Sequence, residues 1–151
     1  MSSLGTFYVG LGGSSNSLII RNGGRTTSGQ DGSNIRVGQG SSNNFMIVDN
    51  GSVTVANANF NFTLGNSGGF GNTLTITNGG YFQDRGSGGQ YFYIGSGGIS
   101  NTAYIGGTNA SGAKSILWIT SYSSGDPNSM LIGNAANSTN NWLIVGAGGI
   151  G

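Results

Sequence analysis

Asn72-Thr73-Leu74-Thr75-Ile76-Thr77-Asn78-Gly79-Gly80 is a short strand pattern closed by a glycine turn, and versions of it return along the chain. Leu74 and Ile76 alternate with Thr73, Thr75 and Thr77. That period of two places the apolar residues on one face and the threonines, which are good strand formers, on the other. Sister copies read Asn16-Ser17-Leu18-Ile19-Ile20-Arg21-Asn22-Gly23-Gly24, then Asn44-Phe45-Met46-Ile47-Val48-Asp49-Asn50-Gly51-Ser52, and finally Asn141-Trp142-Leu143-Ile144-Val145-Gly146-Ala147-Gly148-Gly149. The first three copies start 28 residues apart.

Ahead of each copy stands an apolar residue followed by glycine: Val9-Gly10, Val37-Gly38, Leu64-Gly65, Ile94-Gly95 and Ile132-Gly133, with glycine spacings of 28, 27, 30 and 38. A Gly/Ser/Asn loop links each mark to its strand copy, and a weaker apolar patch such as Val53-Thr54-Val55 or Tyr81-Phe82 follows the turn. Each repeat thus holds about three short strands and no helical periodicity. A propeller blade takes about 40 residues and four strands, whereas 27 to 30 residues fit one three-sided coil of a parallel β-helix. The expected fold is all-β: a parallel β-helix, or β-solenoid, of about five rungs, forming one domain over residues 1–151 or a segment of a longer repeat protein.

The register is ambiguous between residues 83 and 128, where the repeat expands into one irregular rung. One reading keeps Ile94-Gly95 as the mark and places an insertion around residues 106–112. The other takes Tyr104-Ile105-Gly106 as the mark, Ile116-Leu117-Trp118-Ile119-Thr120 as the second strand, and residues 86–100 as an excursion. The second is preferred, because it gives Leu117 and Ile119 inward positions. Asp126-Pro127 reads as a turn either way.

Stacked coils turn each repeat position into a column about 4.8 Å per step. Leu18, Met46, Leu74 and Leu143 make one expected core column, and Ile20, Val48, Ile76 and Val145 another. Asn22, Asn50 and Asn78 make a turn column whose amides can bond along the axis. Gly23, Gly51 and Gly79 follow them and are expected to supply positive φ at the corner. Arg21 and Asp49 share an outward position and predict a cross-rung ion pair. Ile19, Ile47, Thr75 and Ile144 occupy the outward column between the two core columns, beside Ser17, Phe45, Thr73 and Trp142. Strands apolar on both faces are usually covered on both. Ile19, Ile47, Ile144, Phe45 and Trp142 are therefore the candidate interface, met by another subunit or another part of a longer protein, or partly covered by the excess residues between 83 and 128.

Composition removes most chemistry. With five basic and four acidic residues in 151 and a net charge of +1, neither nucleic-acid binding nor a polybasic membrane contact has a source. There is no cysteine or histidine, which removes thiolate chemistry, disulfides and the commonest metal ligand. Asp31, Asp49, Asp84 and Asp126 do not fall at positions that pair carboxylates for glycoside hydrolysis. Segments such as Gly95-Ser96-Gly97-Gly98 lack the Gly-Lys-Ser/Thr and helix of a phosphate loop. The Thr73, Thr75, Thr77 triplet resembles the arrays of ice-binding solenoids but occupies only one rung. No catalytic residue, cofactor or metal is expected, and no membrane insertion. Met1-Ser2-Ser3-Leu4-Gly5 lacks the pattern of a secretory signal.

The succession of apolar-Gly, Gly/Ser loop and Asn-x-Leu-x-Ile-x-Asn-Gly-Gly resembles the repeats of bacterial autotransporter passengers and of related exported proteins with a PEP-type sorting signal. The resemblance covers residues 7–80 and, less closely, 131–149. It implies a right-handed β-solenoid in a secreted or surface-displayed, often adhesive, protein; this chain carries no signal, translocator barrel or sorting tail of that pattern. Neither end of the repeat array reads as capped, although a solenoid leaves an open strand edge at each end. The expected function is a non-enzymatic, extracellular or cell-surface fibre subunit that stacks on itself. The alternatives are an excised adhesin segment and a module that stacks exposed aromatics such as Phe45, Trp118 and Trp142 on surface glycans.

Overall fold

The apolar-Gly marks line up as one sheet in the computed structural model, which describes residues 6–28, 34–55, 61–86, 91–121 and 129–151. Coil 1 consists of β1 (Phe7–Leu11), β2 (Ser17–Arg21) and β3 (Arg25–Ser28). Coil 2 repeats it with β4 (Ile35–Gln39), β5 (Phe45–Asp49) and β6 (Ser52–Val55), and coil 3 with β7 (Asn61–Asn66), β8 (Thr73–Thr77) and β9 (Tyr81–Gly86). Coil 4 holds β10 (Tyr91–Ser96), β11 (Thr102–Gly106) and β12 (Ser115–Ser121); coil 5 holds β13 (Ser129–Ile132), β14 (Trp142–Val145) and β15 (Gly149–Ile150). Like strands pair in parallel into three five-stranded sheets: β1-β4-β7-β10-β13, β2-β5-β8-β11-β14 and β3-β6-β9-β12-β15. The fold is an all-β parallel β-helix, and no helix occurs among the described residues.

The alternation read from the motif sets the interior. Met46, Leu74, Val48 and Ile76 are buried, and Ala103 and Ile105 continue their columns through coil 4. Leu18 and Leu143 pack against this core from the outer coils. Val145 points along the same column but is 50% exposed, because no coil follows it among the described residues. Across the lumen Phe62 stacks on Phe92 at 4.4 Å between centroids, and Phe82 meets both edge-on at 5.1 and 5.8 Å, arrangements that favour aromatic rings beyond simple burial.

Coil 4 corrects the preferred register. Ile94 is the mark of that coil, paired with Leu64 and Ile132, and Tyr104-Ile105-Gly106 belongs to the second sheet, where Ile105 pairs with Ile76 and Val145. Ile116 to Thr120 lie in the third sheet beside Tyr81 to Arg85. The segment proposed as an excursion contains β10. The extra residues stand mainly at the corner between β11 and β12. There Asn109 Oδ1 accepts from Ser111 N, Ser111 Oγ and Ala113 N at 2.7–3.1 Å, and Asn109 Nδ2 donates to Asn50 Oδ1 at 3.3 Å. Leu117 still points inward, because alternation holds in whichever sheet the strand joins. Asp126-Pro127 lies outside the described residues.

An asparagine ladder exists, but in a different column from the expected one. Asn16, Asn44, Asn72, Asn101 and Asn141 stand one above another, and each donates both its backbone N–H and its Nδ2 to the Oδ1 of the next, at 2.9–3.0 Å. Asn44, Asn72 and Asn101 are buried. The seat for each amide is made by the glycine of the mark in the preceding coil. Gly38 has φ +78, and a Cβ there would overlap the Asn72 carboxamide; Gly10, Gly65 and Gly95 stand in the same relation to Asn44, Asn101 and Asn141. The apolar-Gly mark and the leading asparagine are thus two halves of one device.

Asn22, Asn50 and Asn78 instead take left-handed turn conformations, φ 53, 48 and 52, and make no bonds to one another. Asn22 and Asn78 are exposed, so their amides are open to solvent. Gly23 and Gly79 have positive φ, but Gly51 does not. With Arg21 opposite Asp49 and Arg25 opposite Ser52, the coil 2 turn is one residue shorter than that of coil 1. Gly51 therefore aligns with Gly24 and Gly80, where the requirement is close approach: a Cβ on Gly51 would meet the Ile20 carbonyl at 2.8 Å. The ion pair expected between Arg21 and Asp49 is not made although the two are register partners; Asp49 Oδ1 is buried without a hydrogen bond and Arg21 remains in solvent.

Candidate functional site

The second sheet places the five candidate interface residues on its outer face, in two adjacent columns. One column runs Ile19, Ile47, Thr75, Tyr104, Ile144 and the other Ser17, Phe45, Thr73, Thr102, Trp142. Ile19 is 50% exposed, Ile144 45% and Trp142 59%, while Phe45 and Ile47 are half-buried by their own neighbours. Tyr104 belongs to this face and was missed, because the preferred register assigned it to another sheet. The leading Asn101, equivalent to Asn72 and Asn141, is the signal that would have found it. The corner loop between β11 and β12 packs over Gly79 rather than over these columns.

The outer faces of the other two sheets are more mixed. On the first, Tyr8, Arg36, Thr63, Tyr93 and Leu131 form a column in which the Arg36 guanidinium lies 5.9 Å from the Tyr8 ring centroid. On the third, exposed Trp118 meets Tyr81 edge-on at 6.5 Å, beside Gln83 and Thr120.

Both ends of the described coil are open. At the first end, among the described residues, β1, β2 and β3 have no strand below them, and a cleft of about 300 Å³ is lined by Phe7, Val9, Leu11 and Leu18. At the other, β13, β14 and β15 have none above, and the inward-pointing Ile132 is 47% exposed. Because β15 pairs only with Ser115 and Ile116 of β12, a notch of about 380 Å³ opens over Leu117, Ile119 and Met130. The ladder is directional, so its ends differ. Asn16 Oδ1 receives no donor from below. The Asn141 N–H meets no acceptor ahead, and its Nδ2 donates only to Gly98 O, at 3.0 Å.

Among the described residues one carboxylate lies fully inside. Asp84 points into the lumen between Val55 and Ile119, is fully buried, and neither carboxyl oxygen has a hydrogen-bond partner. Burial pushes its pKa up from 3.8 to about 7, since a lone buried carboxylate has nothing to replace its hydration. Among the described residues no group of three or more His, Cys, Asp or Glu stands together.

Three parallel sheets wound by one chain, with an asparagine ladder at the corner that leads into the second sheet, define the class: a β-solenoid of repeated three-strand coils. Comparisons with protein-family models, with curated proteins and with solved structures find no match to this chain.

Proposed function

We propose that this protein is a non-enzymatic structural subunit, displayed outside the cell, whose copies stack end to end into a fibre. The observation that carries this reading is the complementarity of the two ends. The operator that takes one coil onto the next would bring Asn16 Oδ1 of a second copy above Asn141, where the Asn141 N–H and Nδ2 stand ready to donate. It would also set three open parallel strand edges against three others and cover Ile132 and Val145. A head-to-tail contact of this kind does not close on itself and therefore propagates. The extracellular placement rests on the resemblance of the repeat to those of exported proteins.

Sizing over a wide concentration range, with negative-stain microscopy, tests the reading. Filaments one coil stack wide are expected, and Val145→Lys, which puts a charge on the open end, should abolish them while leaving the far-ultraviolet circular dichroism unchanged. A monodisperse monomer at all concentrations refutes the fibre. It would favour the second reading of the same open edges, an internal stretch of a longer surface adhesin of the autotransporter-passenger or PEP-sorting kind. A third use, glycan stacking, is supported by the paired Tyr81 and Trp118 rings, and a glycan array tests it.

A further inference from the structure

We infer that the outer face of the second sheet is a self-complementary interface, on which a second copy of this chain lies with its coils in reverse order. The two outward columns carry this inference. A two-fold axis lying in the interface along β8 sets coil 1 opposite coil 5 and coil 2 opposite coil 4 while keeping each column over itself. In the first column Ile19 then faces Ile144 of the second copy, Ile47 faces Tyr104, and Thr75 faces Thr75. In the second, Trp142 faces Ser17, Phe45 faces Thr102, and Thr73 faces Thr73.

In one column isoleucines and Tyr104 meet on either side of a central Thr75 pair, and in the other each large ring meets a small side chain. In the charged column Asp49 faces Gly106 and Arg21 faces Gly146, the two glycines over which the Tyr104 ring lies, so neither charge meets its like and both meet the face of that ring. The other two-fold, parallel to the coil axis, puts Phe45 against Asp49 and Ser17 against Arg21, and loses this match.

The strand spacing and rise give the face about 400 Å² per copy. The roughly 800 Å² buried in total is below the 1,200 Å² or so of stable complexes. Single copies should therefore pair only transiently, and the pairing should strengthen where stacked copies repeat the face along a fibre; that last step alone rests on the end-to-end reading.

The chain has no cysteine, so single introduced thiols report contacts cleanly. Facing sheets pack about 10 Å apart, within reach of a short bis-maleimide linker. Thr75→Cys, on the two-fold axis, should give a cross-linked dimer band several-fold stronger than Thr27→Cys on the exposed face of the third sheet. Ile47→Cys and Tyr104→Cys should each link poorly alone and link well when mixed. In an end-to-end stack Thr75 recurs only about every 24 Å, five strand spacings, so stacking by itself cannot produce the Thr75 band. If Thr75→Cys links no better than Thr27→Cys, the pairing is refuted whether or not filaments form. If Ile47→Cys links alone as well as in the mixture, the reversed order is refuted. Filament formation is read separately by sizing.

Discussion

Replacing Asn72 by alanine removes the middle of the ladder, and its cost can be worked out bond by bond. Asn72 Oδ1 accepts from Asn44 N and Asn44 Nδ2, both at 3.0 Å, and Asn72 Nδ2 donates to Asn101 Oδ1 at 3.0 Å and Ser41 O at 3.1 Å. After truncation Asn44 Nδ2 keeps Ser41 Oγ, and Asn101 Oδ1 keeps the Asn72 backbone N–H. The Asn44 N–H and the Ser41 carbonyl lose these partners in a buried place. At about 1–3 kcal/mol per orphaned buried group, Asn72→Ala should cost about 3–5 kcal/mol, against a total stability on the order of 5–15 kcal/mol for a domain.

Asn16→Ala is the internal control. Asn16 is exposed and its lost partners can turn to water, so about 0.5–1 kcal/mol is expected. Gly38→Ala closes the cycle. In the wild type its Cβ would overlap the Asn72 carboxamide; with alanine at 72 only the left-handed φ remains, at about 1–2 kcal/mol. The double variant should be more stable than additivity predicts by about 1–3 kcal/mol. Urea unfolding followed by circular dichroism measures the wild type and the four variants. If Asn72→Ala costs no more than Asn16→Ala, or if the cycle is additive, the coupled glycine–asparagine seat is wrong.

Stability should fall as pH rises from about 4 to about 7. The folded Asp84 pKa is raised from 3.8 to about 7, so the native state holds more protons in that window; its contribution is complete below 3.8 and lost above 7, about 4 kcal/mol in all. The chain has no histidine to titrate there, and Asp84→Asn should flatten the profile; an unchanged slope in urea titrations at pH 4, 6 and 8 would show that Asp84 is not its source. The turn glycines should split by mechanism. Gly23→Ala, φ +79 with open space around its Cβ, should lower stability by about 1 kcal/mol, whereas Gly80→Ala drives a Cβ into the Val48 carbonyl and should cost clearly more; equal losses in thermal melts would contradict the close-approach reading.

The coil repeat was legible because every coil buries the same alternate residues, so Leu18, Met46 and Leu74 recur at one spacing that no loop composition can hide. The register of coil 4 was not legible from apolar residues, because the expansion at the β11–β12 corner lengthens the repeat without changing its alternation. Strands beginning at Thr102 and at Ser115 both alternate correctly, and only Asn101 marks which sheet the first one joins. The outer face was half legible. Ile19, Ile47 and Ile144 stand out as apolar where solvent is expected, but Tyr104 could be added only once its strand had a place.

The sequence by itself determined that this chain winds into stacked parallel coils, and which residues point inward, because alternation along a strand and recurrence between strands are both one-dimensional patterns. The tertiary structure alone decided which asparagines form the ladder and which glycines are irreplaceable. Asn16, Asn44 and Asn72 were visible at the head of every copy, as were Asn22, Asn50 and Asn78 near its end. Choosing between them required knowing which amide lies over a glycine of the preceding coil. That depends on the backbone path around each corner, where a single inserted residue, as at Gly23 but not Gly51, changes what stands above what.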